Sequence, residues 1–109
     1  VKKLLDQAAK DFPSNADIRF EQGRVTYNQK NYSEAEGIFK SVLAIQPNYA
    51  NAYYSLGLIY LQKKDEAKAL MAFEKTREIT GPNVDLEKLI NQLKTASAAE
   101  EKVITPTKK

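Results

Sequence analysis

Cysteine and histidine are both absent from the 109-residue sequence. Without cysteine there can be no disulfide and no thiolate metal site. Without either residue, the commonest general base and the most reactive nucleophile are missing. No G-x-x-x-x-G-K phosphate loop is present. The remaining acids, Asp6, Asp11 and Glu34 among them, fall on faces expected to be exposed. Glu34, Glu36, Asp65 and Glu66 stand where helices are expected to begin, and a carboxylate there favours the positive end of the dipole. Catalysis, a bound metal and a cofactor are therefore not expected. No apolar run approaches the length of a membrane span, and no signal peptide is recognisable. The expectation is a soluble domain with no direct membrane insertion. Val1 in place of methionine reads as an excised domain or processed fragment. Excess charge is small as well: 17 basic against 14 acidic residues, formally +3, with Lys2, Lys3, Lys108 and Lys109 at the ends. Nucleic-acid binding would gather basic residues on one face, whereas here acids are interspersed, so no nucleic-acid partner is expected.

What the chain does contain is helical periodicity. Apolar residues make up 42% of it, enough for a modest core in a single domain. Over residues 50–80, Ala52, Tyr53, Leu56, Gly57 and Tyr60 recur at helical spacing, and after a break at Lys64-Asp65 so do Ala69, Leu70, Phe73 and Ile79. Gly57 falls inside the first of these helices, where glycine costs about 1 kcal/mol relative to alanine. Close approach of another backbone, which a missing Cβ permits, is the expected reason. Helix, tight turn and helix make an αα-hairpin.

The hairpin is repeated. Gly23 precedes Gly57 by 34 residues, and the pairs Ala16/Ala50, Lys30/Lys64, Ala35/Ala69, Phe39/Phe73 and Pro13/Pro47 keep that offset. A fixed period of this size with helix punctuation inside it is a solenoid signature. The sequence resembles the tetratricopeptide repeat family, whose motif runs W/L-x2-L-G-x2-Y, A-x3-F and a late proline. Repeat 2 carries Tyr53, Leu56, Gly57, Tyr60, Ala69 and Phe73 at those positions. Repeat 1 keeps Gly23, Ala35, Phe39 and Pro47 and departs at Arg19, Gln22 and Thr26. The resemblance covers residues 1–93 and implies an all-α, right-handed superhelical solenoid of antiparallel helix hairpins.

In order, residues 1–12 form a half repeat with Val1, Leu4, Leu5 and Ala8 in helical register, standing where a second helix would. Repeat 1 spans 16–49, with helices expected at 15–29 and 33–46; Asn15 supplies cap chemistry and Ser33 with Glu36 an S-x-x-E capping box. Repeat 2 spans 50–82, with helices at 49–63 and 65–80 ahead of the Gly81-Pro82 stop. Residues 83–98, carrying Leu86, Leu89, Ile90 and Leu93, are expected to form a capping helix. The tetratricopeptide domain thus runs 1–98, and 99–109 are expected to be a disordered tail.

The resemblance also implies a site. In the family, first helices line a concave groove that binds a segment of another protein. The corresponding positions in repeat 1 are Asp17, Phe20, Glu21, Arg24, Tyr27 and Asn28. Those in repeat 2 are Asn51, Tyr54, Ser55, Leu58, Leu61 and Gln62. Phe20, Tyr27 and Tyr54 are aromatic where a solvated face would be polar, and aromatic and arginine side chains are favoured anchors. Two structural alternatives stand beside this: Phe20, Leu58 and Leu61 as packing residues, and Arg24 as the surface partner of Glu21. The carboxylate clamp of chaperone-binding members maps to Phe20, Arg24, Ser55, Asp85 and Leu89, where only Arg24 is cationic and Asp85 would repel the ligand. That clamp is excluded and a more apolar peptide expected. RNA reading of the pentatricopeptide kind is disfavoured by the 34-residue offset and the A-x3-F spacing. A non-catalytic module with a protein or peptide partner is the expected function. The alternative is a structural or self-associating element, with a homodimer along the N-terminal edge formed by Leu4, Leu5 and Ala8. Such a packing element would suit a larger parent, since the ending GPNVDLEKLINQLK resembles terminal helices of repeat modules on large bacterial proteins, some of them membrane-embedded.

Overall fold

The computed structural model describes residues 2–104, and among them every regular element is a helix. These are α1 (Lys2–Asp11), α2 (Ala16–Asn28), α3 (Tyr32–Ile45), α4 (Ala50–Gln62), α5 (Glu66–Thr80) and α6 (Val84–Ile104). Successive helices pack on one another, α2 with α3 and α4 with α5 most extensively, which makes an all-α tetratricopeptide-like solenoid. No helix of the described residues is long and apolar enough to cross a membrane.

Local chemistry sets the boundaries. Asn15 Oδ1 accepts from the Ile18 N–H at 3.0 Å, Asp65 Oδ1 from Lys68 at 3.2 Å and Asn83 Oδ1 from Leu86 at 2.9 Å. Each satisfies an N–H that the first helical turn leaves unpaired. The two hairpin turns are closed identically. Lys30 and Lys64 adopt left-handed φ values of 66° and 61°. Their N–H groups donate to Tyr27 and Leu61, and the next N–H groups, of Asn31 and Asp65, reach back to Thr26 and Tyr60. This double closure is the Schellman pattern, built with lysine where glycine is usual.

The capping box expected at the start of α3 is not formed. The helix begins one residue earlier, at Tyr32, and its Asn31 cap makes no side-chain bond. Glu36 is drawn instead to cations on and beyond its own helix. Lys63 Nζ donates to it at 2.7 Å, Tyr60 Oη donates at 3.1 Å, and Lys40 Nζ lies at 3.1 Å. Charge-assisted bonds outweigh a neutral backbone donor, and the result ties α3 to α4.

The glycine at each hairpin crossing faces a ring and not a backbone, correcting the sequence expectation for Gly57. A Cβ on Gly57 would lie 2.6 Å from Phe73 Cε1, and one on Gly23 2.7 Å from Phe39 Cε1. Both phenylalanines are fully buried, with Ala35, Val42, Ala52, Leu56 and Ile59 around Phe39 and Ala69, Leu86, Ile90 and Leu93 around Phe73. The departures of repeat 1 become polar ties. Buried Thr26 donates its hydroxyl to the Gln22 carbonyl at 2.9 Å, and Gln22 Nε2 donates to Asp6 at 2.8 Å, joining α2 to α1.

The last helix runs to Ile104, past residue 98 where apolar periodicity ends and where the tail was expected to be disordered. The run from Ala96 to Lys102 is dominated by alanine, glutamate and lysine, whose intrinsic helix propensity is high. Residues 105–109 of the expected tail lie outside the described residues.

Candidate functional site

Side chains of α2 and α4 spaced three or four apart share a face, so the two first helices of the repeats present parallel rows. Between them lies a cavity of about 280 Å³. Phe20, Arg24, Tyr27 and Asn28 border it from α2, and Asn51, Tyr54, Ser55 and Leu58 from α4. Eight of the twelve groove positions named from the sequence therefore meet around one hollow. Asp17, Glu21, Leu61 and Gln62 do not line it; Asp17 accepts the Tyr49 hydroxyl at 2.6 Å. Phe39 of α3 contributes to the floor as well. Its spacing marks it as core, so nothing in the linear pattern identifies it as a groove residue.

The aromatic walls are packed. Phe20 stands 5.3 Å from the Tyr49 ring and 5.4 Å from Phe39, Tyr27 lies 5.3 Å from Tyr32, and Tyr54 meets Phe73 edge-on at 5.5 Å. Such offset and edge-on pairs hold each ring in one orientation. All three groove aromatics nevertheless keep part of their surface open, as do Ser55 and Leu58. Leu58 serves both purposes, lining the hollow and packing on the Phe73 cluster, while Leu61 only packs. Arg24 is engaged with Glu21 through Nε at 2.9 Å and Nη2 at 2.7 Å. Both partners are about half exposed, and such a pair is worth little and exchanges readily.

Burial, then the neighbouring Tyr32, pushes the Tyr27 phenol above its ordinary value, with the Gln62 hydrogen bond acting the other way. Burial and then the Asp17 carboxylate push Tyr49 up to about 12. These phenols are neutral donors at neutral pH. Of the clamp positions, Asp85 is exposed in the first turn of α6 and Leu89 packs on the core. No group of three or more carboxylates near enough to hold a metal occurs among the described residues.

Tetratricopeptide repeat models match residues 2–50 and residues 27–93. The chain belongs to the tetratricopeptide repeat family, whose members are generally non-catalytic protein-interaction modules. Superkiller complex protein 3 of Mus musculus is 30% identical over 82 residues, which is 71% of this chain but 5% of that protein. The first repeat domain of Spaghetti (RPAP3), bound to the HSP90 peptide SRMEEVD, superposes with a TM-score of 0.82 at 16% identity, covering 89% of this chain and 77% of that one. MamA gives a TM-score of 0.83 at 21% identity over 95% of this chain and 61% of that one. The chain thus spans a small fraction of the mouse relative and about three-fifths of MamA.

Proposed function

We propose that the α2–α4 groove binds an extended or helical segment of a partner protein through an apolar side chain. One observation carries this: an aromatic-walled hollow also bordered by the exposed polar side chains of Arg24, Asn28 and Asn51. Phe20, Tyr54 and Leu58 provide an apolar seat, and burying one aliphatic side chain there contributes about 1.5–3 kcal/mol. Asn28 and Asn51 each carry a donor and an acceptor, the complement that a peptide backbone needs. Arg24 can exchange Glu21 for a ligand carbonyl at small cost. The peptide-bound state of the Spaghetti domain supports this reading. The ligand chemistry differs, because four of the five clamp positions here lack a cation.

The test is fluorescence anisotropy with short peptides carrying leucine or phenylalanine, each made with a free and an amidated C-terminus. Free and amidated forms are expected to bind alike, and Tyr54→Ala to weaken both by about 30-fold, as for a truncated aromatic anchor. A strong preference for the free carboxylate, or indifference to Tyr54→Ala, would refute the reading.

A second reading rests on α1. Leu4 is 76% exposed, and Leu5 and Ala8 are half-buried, whereas Phe39 and Val42, at the same register in α3, are fully buried. An apolar helix face of this kind suits pairing of two copies. It requires association that rises with protein concentration and needs no peptide.

A further inference from the structure

The other flank of α4 helps to form a second groove, of about 510 Å³, between α3 and α5. Its floor is Leu43, Tyr53, Leu56 and Tyr60, and Met71 stands at the edge, 69% exposed. Every charged residue lining it is a lysine: Lys40, Lys68 and Lys75.

The repeat supplies an internal control. One period earlier the same place between α1, α2 and α3 forms a smaller hollow of about 330 Å³. There Asp6 stands for Lys40, Arg19 for Tyr53, Gln22 for Leu56 and Glu34 for Lys68. Fold and packing therefore do not require apolar residues or lysines at these positions. The first hollow is also tied across by its own side chains, Gln22 to Asp6 at 2.8 Å and Lys2 to Glu34 at 3.5 Å. In the second, among the described residues, Lys40, Lys68 and Lys75 form ion pairs only with acids of their own helix or its cap, Glu36, Asp65 and Glu78, and with none across the groove. Their side chains are roughly half to two-thirds exposed, so those local pairs are weak and exchangeable. Lys68 extends over the Tyr60 ring, 5.7 Å from its centroid, which keeps the charge at the groove margin. Met71, unbranched and polarisable, adapts to whatever apolar shape arrives.

We infer that this second groove docks an amphipathic helical segment of a partner protein whose apolar stripe is flanked by carboxylates. The stripe would lie on Tyr53, Leu56 and Tyr60, and the carboxylates would meet the three lysines. Charge complementarity of this sort sets orientation and speeds association, and apolar anchors at helical spacing fill such grooves. Together with the α2–α4 groove, it gives α4 two ligand-facing flanks.

The probe is a synthetic helix of about 15 residues with leucines along one stripe and glutamates beside it, and a matched peptide with lysines for glutamates. Titrated into the labelled protein, the acidic helix is expected to shift the amide signals of Leu43, Tyr60 and Met71. Paired Lys68→Gln and Lys75→Gln substitutions, both on exposed helix positions away from Glu36, are expected to weaken it at least about tenfold with an unchanged circular dichroism melt. Tyr54→Ala should leave this affinity as it is. Equal affinity for the lysine peptide, shifts confined to Phe20, Tyr27 and Tyr54, or shifts that follow protein concentration without peptide would each overturn the assignment.

Discussion

At Gly57 two preferences oppose each other. A helix interior favours alanine over glycine by about 1 kcal/mol, but the Phe73 ring occupies the space where the methyl would go. Phe73 is fully buried and cannot step aside, and overpacking of this kind typically costs about 1–3 kcal/mol. Gly37 makes the opposite case: it is exposed within α3, with nothing within 4 Å of a Cβ. In urea denaturation, Gly57→Ala is expected to lower the unfolding free energy and Gly37→Ala to raise it by about 0.5–1 kcal/mol. Equal gains from both would show that the ring contact does not matter. The importance of Gly57 is legible in the sequence because its spacing to Phe73 repeats that of Gly23 to Phe39. What fills the gap is not, since period alone cannot distinguish an approaching backbone from a ring on the next helix.

Among the elements, α3 and α4 are joined across the repeat boundary by Glu36. The carboxylate is 16% exposed and takes hydrogen bonds from Lys63, Lys40 and Tyr60, of which the Lys63 bond acts most strongly. These hold its pKa at about 2 against an ordinary 4.5, despite burial pulling the other way. A depressed carboxylate contributes stability that is complete above its unfolded value and is lost as pH falls through the folded one. Discounted for the exposure of Lys63 and Lys40, the contribution is about 1–2 kcal/mol. Glu36→Gln should thus destabilise the protein at pH 7, and its deficit should shrink as pH falls from about 4.5 to 2. Urea denaturation of both proteins across that window checks this; a deficit independent of pH would assign Glu36 a packing role only. The sequence pattern misassigned this residue. An S-x-x-E spacing describes a local bond, whereas Lys63 lies 27 residues away and becomes a neighbour only once the hairpins stack.

For the whole molecule, stacking turns two ordinary hairpins into a solenoid with a groove on either flank of α4. Most residues lining the α2–α4 hollow were legible, because the family's repeat register marks one side of each first helix, whereas Phe39, spaced as core, was not. The lysine-edged groove was not, because its residues come from three helices and carry no shared motif. The α2–α4 groove is the proposed contact surface. Nuclear magnetic resonance mapping of the labelled protein, with an amidated, leucine-containing peptide added, tests it most directly. The expected result is shifts clustered on Phe20, Arg24, Tyr27, Tyr54 and Leu58 that saturate with peptide and are independent of protein concentration. Shifts confined to α1 that grow with protein concentration, with the groove signals unmoved, would contradict it.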